Sequence, residues 1–152
     1  MSHKVDLDEQ LLGYFKQQYH DNQFVNLLGM KIVAAHQGRL ELSMLIDAKH
    51  TNLYKVVHGG ALASLADTAM GVACATLGSR VVTLEFNMNF IHNVKPGDEV
   101  RALATVIHHG RTTMVVEASL TDQAGQLLCK ARGTFFVIGK FEAMPTDDAE
   151  QA

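Results

Sequence analysis

The sequence predicts an α+β domain in which a curved antiparallel β-sheet wraps a long central helix. The run from His58 to about Gly78 has the length and composition of a helix, and its only formal charge is Asp67. A helix that is apolar all round is expected to be buried. Six other segments resemble strands, and the last four are joined by short turns, which makes neighbouring strands antiparallel. Such a sheet must cover its apolar face, and the buried helix is the obvious partner.

Two kinds of element precede the central helix. Residues 6–22 have an amphipathic pattern that predicts a short helix on the surface, so residues 1–24 are expected to form an N-terminal helical extension. Residues 29–47 predict two strands around a turn at Gln37 and Gly38. Residues 47–55 are polar, lack either periodicity and predict a loop.

Four strands are predicted after the central helix, which is expected to end near Gly78. The first of them alternates, with Val82, Leu84, Phe86, Met88 and Phe90 on one face and Thr83, Glu85, Asn87 and Asn89 on the other. Turns at Pro96-Gly97, at Gly110-Arg111 and at residues 122–125 separate the remaining strands. Residues 141–152 are predicted to form a flexible tail. With no repeat and no linker, residues 1–152 are expected to form one domain.

Composition narrows the class of protein. The chain has 152 residues with 13 basic and 16 acidic side chains, a net charge of −3 that gives no basic field for nucleic acid. Cys74 and Cys129 lie in apolar runs and are expected to be buried free thiols. The polar start of the chain is unlike a signal peptide, so a cytoplasmic protein is expected. A membrane span is rejected because Asp67 lies at the centre of the one apolar segment.

The central segment carries two features with chemical meaning. Gly59 and Gly60 begin the helix, where backbone N–H groups lack intrahelical partners and suit an oxygen that gains negative charge. Alternatively, the two glycines only relieve a tight entry into the helix. Asp67 is a carboxylate on an apolar helix with no basic neighbour, which favours a base or nucleophile in a cleft. The alternative for Asp67 is a buried structural role, bonded to a loop.

Spacing constrains how these two features work together. Gly59 and Asp67 are eight residues apart, or about 12 Å along a helix. An amide and a base that act on one carbonyl must each lie within about 3 to 4 Å of it. Two antiparallel copies of the helix can satisfy this, and the small residues Ala63, Ala66 and Ala69 permit close packing. If the segment is catalytic, at least a dimer is therefore expected.

Four motifs occur in a recognisable order: TNLYKVVHGGALASLADTA, VTLEFNMNFIHNVKPGDEV, HHGRT and GTFFVIG. From about Leu27 to Gly139 the chain resembles the hotdog-fold acyl-CoA thioesterases of the phenylacetate-pathway type. The resemblance implies a hotdog fold, an acyl-CoA substrate, and homodimers that often form homotetramers. It implies hydrolysis to a free acid and CoA, with no cofactor beyond the CoA of the substrate.

The resemblance also assigns catalytic roles. Asp67 matches a carboxylate that acts as a general base for water or as a nucleophile. Gly59 matches the glycine whose amide polarises the thioester carbonyl. Asn52 matches an asparagine that places water, and Thr83 matches a hydroxyl residue that orients water or the carboxylate. Asn52 and Gly59 would come from one subunit, and Asp67 and Thr83 from its partner.

Substrate-binding roles follow from the same resemblance. His58 is expected to hold the turn by hydrogen bonding, with Gly60 beside it, while a general-base role remains the alternative. Gly110 and Arg111 would contact the nucleotide end of CoA, with Arg80 and Lys95 as helpers. The acyl group would meet apolar residues of the central helix such as Leu62, Leu65 and Met70.

Other chemistries fit the sequence less well. The histidines lack the spacing of metal ligands, so no metal is expected. Ser64 does not lie in a GxSxG motif. Two alternatives stay open: a hotdog dehydratase that acts on acyl carrier protein, and a non-catalytic acyl-CoA-binding protein. The identity of the acyl group and the choice between dimer and tetramer are not determined by the sequence.

Overall fold

A computed structural model describes residues 5–147. Its helices are α1 (Leu7–Tyr19), α2 (Gln23–Leu28) and α3 (Gly59–Ala75). Its strands are β1 (Met30–His36), β2 (Arg39–Leu45), β3 (Ser79–Phe90), β4 (Glu99–His109), β5 (Thr113–Thr121) and β6 (Leu127–Lys140). The six strands form one antiparallel sheet around α3, so the predicted α+β architecture is confirmed.

The sheet has the strand order β1-β2-β4-β5-β6-β3. Tight turns set the register of β1 with β2 and of β5 with β6, and Gly38 and Gly125 adopt the positive φ angles that such turns require. The turn at Pro96-Gly97 leads from β3 to β4, which are not neighbours in the sheet. Alternate residues of β2, β4 and β5 are buried against α3, and they include Leu40, Leu42, Met44, Val100, Ala102, Ala104, Met114, Val116, Ala118 and Leu120. The order leaves β1 and β3 at the two edges.

Both ends of α3 are fixed by side chains. His58 is extended at the N-cap, and its Nδ1 accepts a hydrogen bond of 2.8 Å from the Gly60 amide. At the other end, the Thr76 hydroxyl donates to the Ala73 carbonyl and accepts from the Gly38 amide, which ties the helix to the β1–β2 turn. Gly78 has a φ of +90° and reverses the chain into β3, close to the predicted end.

The expectation that α3 is buried on all sides is wrong for one stripe. Ten of its residues are buried, but a row at helical spacing remains open in the single chain: Gly60, Ala63, Ser64, Asp67, Thr68 and Gly71. Of the three alanines proposed for helix packing, only Ala63 belongs to this row. Ala66 and Ala69 face the sheet and are fully buried.

The predicted alternation of β3 is wrong over its first half because the strand contains a β-bulge between Thr83 and Glu85. Thr83 pairs with buried Phe135 and therefore faces α3, whereas Val82 pairs with exposed Phe136 and faces outward. Val82 and Leu84 keep 46% and 58% of their surfaces exposed. A bulge adds one residue to a strand and thereby exchanges its faces. Phe86 and Met88, beyond the bulge, pack against the core as predicted.

The N-terminal extension is longer than predicted, because α2 continues it to Leu28. Leu11 and Phe15 of α1 are fully buried, and Phe15 packs edge-on against Phe141 at 5.9 Å between ring centroids. Tyr14 donates a hydrogen bond to the carbonyl of Glu142. The first residues of the predicted flexible tail are therefore packed against α1, and residues 148–152 lie outside the described part of the chain.

The predicted loop before α3 has internal structure. It contains a 3-10 helix (Ala48–His50) and a β-bridge between Thr51 and Val57. The side chain of His50 is buried, where its Nδ1 accepts from the Asp47 amide and its Nε2 donates to the carbonyl of Leu28. His50 thus joins the end of α2 to the segment that leads into α3.

Between residues 5 and 147, none of the helices combines the length and the apolar character that crossing a bilayer requires.

We expect Phe15→Ala to lower the free energy of unfolding by about 3 to 5 kcal/mol, because it removes a fully buried ring from the contact between α1 and Phe141. Urea unfolding followed by circular dichroism measures the change. Val5→Ala, just before α1 and about half exposed, is the control, and its effect should stay within about 0.5 kcal/mol. Equal effects of the two substitutions would show that α1 is not part of the cooperative fold.

Candidate active site

Asp67 and Thr83 meet in the open stripe of α3. The Thr83 hydroxyl donates a hydrogen bond of 2.8 Å to Asp67 Oδ1. Asp67 Oδ2 receives no hydrogen bond from the residues that the structure describes. The bulge in β3 is what turns Thr83 toward α3. The pair therefore holds one carboxylate oxygen in place and leaves the other available to a ligand or to water.

Two depressions meet at this pair. Cavity A, of about 450 Å³, follows α3 toward its C-terminus past Thr68, Gly71, Val72 and Ala75. Cavity B, of about 290 Å³, lies on the other side, where Ala63, Ser64 and Phe86 complete its lining. From Asp67 to Ala75, cavity A spans about 12 Å of helix. Asp67 and Thr83 line both cavities and stand at the junction between them.

The walls of cavity A differ from those predicted for the acyl group. Leu62, Leu65 and Met70 are buried in the core between α3 and the sheet and do not line it. Opposite α3, its wall includes Tyr19 and Phe24 from the N-terminal extension, and Phe141 from the segment after β6. No sequence pattern identifies these aromatic residues, because only the docking of α1 and α2 brings them to the central helix.

Side chains near the site differ in how readily they ionise. Burial raises the pKa of the Tyr19 hydroxyl above its usual value, so this group stays protonated at neutral pH and can donate a hydrogen bond. Burial also raises the pKa of Cys74 to about 12 and that of Cys129 to about 11. Both cysteines are buried free thiols, as predicted, and neither is a thiolate nucleophile at neutral pH.

The start of α3 presents one free amide. The Gly60 N–H donates to His58 Nδ1 and the Ala61 N–H donates to the carbonyl of His58. The Gly59 N–H has no acceptor within residues 5–147. A Cβ on Gly60 would lie 2.9 Å from His58 Nδ1, so this glycine makes room for the histidine cap. The cap occupies one amide of the first turn and leaves its neighbour available to a ligand.

Asn52 organises the loop that leads to this amide. Its Oδ1 accepts hydrogen bonds from the amides of Tyr54 (2.9 Å) and Val56 (3.3 Å). Its backbone N–H donates to the Val56 carbonyl. The side-chain amide Nδ2 makes no hydrogen bond within the described part of the chain. Asn52 therefore has a structural role that the sequence did not indicate, and it keeps two N–H donors for a ligand.

Within one chain these groups fall into two sets. Asp67 and Thr83 are together, and Asn52, His58 and Gly59 are together, but eight residues of continuous helix separate Gly59 from Asp67. That separation is about 12 Å, too far for both to act on one carbonyl. Within one chain, the Gly59 amide and the Asp67 carboxylate therefore cannot act on the same carbonyl.

The Gly110-Arg111 turn joins β4 to β5 beyond the C-terminal end of α3. Gly110 donates to the carbonyl of Thr113, and a Cβ on it would lie only 2.6 Å from that oxygen, so the turn requires glycine. Arg111 is exposed. Lys95 precedes β4, whereas Arg111 follows it, so the 11 residues of this strand separate them. Arg111 and Lys95 of one chain therefore lie at opposite ends of β4, and a role of Lys95 beside the nucleotide stays a prediction.

In the stretch that the structure covers, no three His, Cys, Asp or Glu side chains are grouped as they would be around a metal ion.

Comparisons with known proteins agree on one family. Residues 54–129 match the model of the thioesterase superfamily. The chain is 31% identical over 121 residues to the acyl-coenzyme A thioesterase PaaI of Escherichia coli, covering 80% of this chain and 86% of that protein. The solved structure of E. coli PaaI matches with a TM-score of 0.83 at 28% identity, over 89% of this chain and 98% of that one.

A second solved structure that matches this chain was determined with a bound ligand. A Streptococcus mutans protein whose crystal structure was determined bound to acetyl CoA matches with a TM-score of 0.71 and 32% identity. The match covers 73% of this chain and 90% of that one.

We expect Asn52→Ala to increase hydrogen exchange at the amides of Tyr54 and Val56 about fivefold each, because each loses a hydrogen bond of about 1 kcal/mol. Asn52→Asp keeps an acceptor oxygen in the same position and should leave both exchange rates close to those of the parent. Exchange measured by NMR checks this. If Asn52→Asp speeds exchange as much as Asn52→Ala, the side chain does not hold the loop in this way.

Proposed function

The chain belongs to the thioesterase superfamily and has the hotdog fold, and from this premise we propose that it hydrolyses acyl-CoA thioesters at a site shared by two subunits. The named relative from E. coli is an acyl-coenzyme A thioesterase, and the S. mutans neighbour was solved with acetyl CoA. The observation that carries the proposal is the Asp67 carboxylate, which Thr83 holds by one oxygen at the junction of two cavities.

Asp67 acts as the general base in the proposed reaction. Its free Oδ2 accepts a proton from a water molecule as the water oxygen bonds to the thioester carbon. The carbon–sulfur bond then breaks, and the departing sulfur takes the proton back from Asp67, which yields the free acid and CoA. No group beyond the CoA of the substrate is needed. Thr83 limits the rotation of the carboxylate, so less orientational entropy is lost when water is activated.

In the proposed reaction, the backbone N–H of Gly59 polarises the thioester carbonyl. This free N–H stands at the positive end of the α3 dipole and donates to the thioester oxygen, which gains negative charge as water attacks. In the proposed reaction, Asn52 uses its Nδ2 donors to hold the attacking water. His58 acts by capping the helix, since its Nδ1 is engaged by the Gly60 amide. That engagement also weighs against the alternative of a dehydratase with His58 as its base.

The site is completed by a second copy of the chain. An antiparallel pair of α3 helices that sets Gly59 opposite Asp67 has its two-fold axis at the midpoint, residue 63. Ala63 lies in the open stripe, where its neighbours in the row are small enough for close packing. The edge strand β3 supports the same pairing, because the backbone N–H and C=O groups on its open side would be paired by a second β3. A tetramer of two such dimers would leave this arrangement unchanged.

The substrate is oriented by the same arrangement. The acyl group enters cavity A, which extends from Asp67 along α3. The CoA half of the substrate extends from Asp67 away from cavity A, so in the antiparallel pair the exposed Arg111 of the partner subunit pairs with its phosphates. Arg80 lines cavity A of its own chain and lies on the acyl side of Asp67. The free thiols favour a reducing, cytoplasmic setting.

We expect Asp67→Asn to lower kcat for acyl-CoA hydrolysis by about 10² to 10⁴-fold through loss of the general base. Gly59→Pro removes only the free N–H, because proline is tolerated at the first position of a helix and His58 is already extended, with φ −74° and ψ 129°. It should lower kcat by about 10² to 10³-fold. CoA release measured with a thiol reagent gives both values.

Gly59→Ala is the matched control, because it keeps the amide and places its Cβ at an ordinary 3.4 Å from the Phe90 ring. Mixing the two inactive chains tests the sharing of sites. A dimer of Asp67→Asn and Gly59→Pro has one site with neither change and should recover activity. Turnover by the Asp67→Asn protein at the parental rate, or no recovery on mixing, contradicts the proposal.

We expect Ala63→Arg to give monomers without hydrolytic activity, because two arginines would meet at the two-fold axis of the paired helices. Light scattering after gel filtration measures the mass. Gly13→Arg is the control, since it places the same side chain on an exposed helix position with no atom within 4 Å of its Cβ. A dimer that survives Ala63→Arg rules out the proposed register of the helices.

A further inference from the structure

The loop before α3 carries two large apolar side chains in solvent. Leu53 and Tyr54 are 91% and 81% exposed, more than any other large apolar residue that the structure describes. They are adjacent, and neither lines cavity A or cavity B of its own chain. Two neighbouring apolar side chains this exposed in a folded chain usually mark a contact with another molecule.

These two residues form a rigid projection, here named the Leu53–Tyr54 tip. The bridge between Thr51 and Val57 closes its base. The Asn52 side chain accepts hydrogen bonds from the amides of Tyr54 and Val56. Lys55 adopts a left-handed φ of +61°, which is unfavourable for a lysine and is retained to close so short a turn. The tip is therefore held in one shape before it meets a partner.

The proposed pairing of α3 helices decides what the tip meets. With Gly59 of one chain opposite Asp67 of the other, residues that precede Gly59 lie beyond Asp67 of the partner, toward the C-terminal half of its α3. That half carries Gly71, Val72 and Ala75, which form the helical wall of cavity A. The tip follows directly from the base of the same helix, so it continues the proposed interface over this cavity.

Cavity A has the character that such a contact needs. Its walls combine the aromatic side chains Tyr19, Phe24 and Phe141 with small residues of α3, and Asn22 and Arg80 also line it. It is open to solvent in the single chain, where an apolar acyl group would remain partly wetted. An apolar cover from a second subunit would enclose the acyl group and exclude water from it.

We propose that the Leu53–Tyr54 tip of each subunit covers cavity A of the partner subunit and thereby sets the selectivity for the acyl group. This inference rests on the proposed function and on the antiparallel pairing of α3. The tip acts on the part of the substrate that extends past Gly71, so acyl groups longer than acetyl, or bearing a ring, depend on it. Acetyl-CoA is too short to reach it.

The first experiment compares the parent with the double variant Leu53→Ala/Tyr54→Ala on acetyl-, butyryl-, hexanoyl-, octanoyl- and benzoyl-CoA. The ratio of kcat/KM for the preferred longer substrate to that for acetyl-CoA should fall about tenfold, because the loss of one apolar wall weakens binding of the longer group. An unchanged ratio overturns the inference. Both side chains are exposed in the single chain, so their removal leaves its core intact.

Mixed dimers then test whether the tip acts across the interface. In the first pair, an Asp67→Asn chain in large excess is combined with the Leu53→Ala/Tyr54→Ala chain. The one working Asp67 then lies beneath an intact tip from the other subunit, and parental selectivity is expected. In the second pair, a chain with all three changes is in excess over the parent chain. The working Asp67 then lies beneath an altered tip, and selectivity should be lost.

The outcomes separate the two proposals. The reverse pattern in the two pairs means that the tip acts within its own chain and overturns the inference. Equal selectivity in both pairs overturns it as well. Full turnover by the Asp67→Asn protein alone refutes the proposed function. An inactive Asp67→Asn protein together with unaltered selectivity of the Leu53→Ala/Tyr54→Ala protein refutes only the role of the tip.

Discussion

The hydrogen bond from Thr83 to Asp67 is the contact on which the site depends, and it exists because β3 is irregular. An unbroken strand would keep Thr83 on the face opposite Phe86 and Met88, away from α3. The bulge between Thr83 and Glu85 lets both parts of the strand face the helix. It also turns Val82 and Leu84 outward at the sheet edge. One local insertion thus orients the carboxylate and leaves two apolar side chains exposed on the outer face of the sheet.

The other half of the site depends on which backbone N–H groups at the start of α3 have hydrogen-bond acceptors. Four N–H groups at the beginning of any helix lack intrahelical acceptors. Here His58 satisfies one of them through its side chain and another through its carbonyl, so Gly59 retains a free donor next to a filled cap. Gly60 is needed because a Cβ there would collide with the imidazole. The two glycines therefore differ: Gly60 leaves space for the cap, whereas Gly59 contributes its free N–H and could carry a Cβ at an ordinary 3.4 Å from the Phe90 ring.

Sequence reasoning predicted the elements that have a local cause. Hydrophobic periodicity identified α1 and the strands, length and composition identified α3, and the unpaired charge singled out Asp67 before any resemblance was used. It failed where the cause is not local. The bulge in β3 is set by pairing with β6, so strict alternation placed Thr83 on the wrong face. The aromatic wall of cavity A comes from α1, α2 and the segment after β6, which are distant from α3 in sequence. Leu62 and Leu65 are as apolar as any cavity residue, but their positions on α3 direct them into the core.

The open stripe of α3 is the reason why the proposed function links catalysis to assembly. A helix that was covered on all sides by its own sheet would be more stable as a monomer, but it would bury Asp67 and leave no path to it. Leaving one row of small residues uncovered exposes the carboxylate together with the surface that a second helix needs. In the proposed dimer, that second copy supplies the amide that Asp67 cannot reach within its own chain. The proposal puts the reactive groups on two molecules, so the fraction of active protein is expected to follow the dimerisation equilibrium, and a ligand that bridges both subunits is expected to stabilise the dimer.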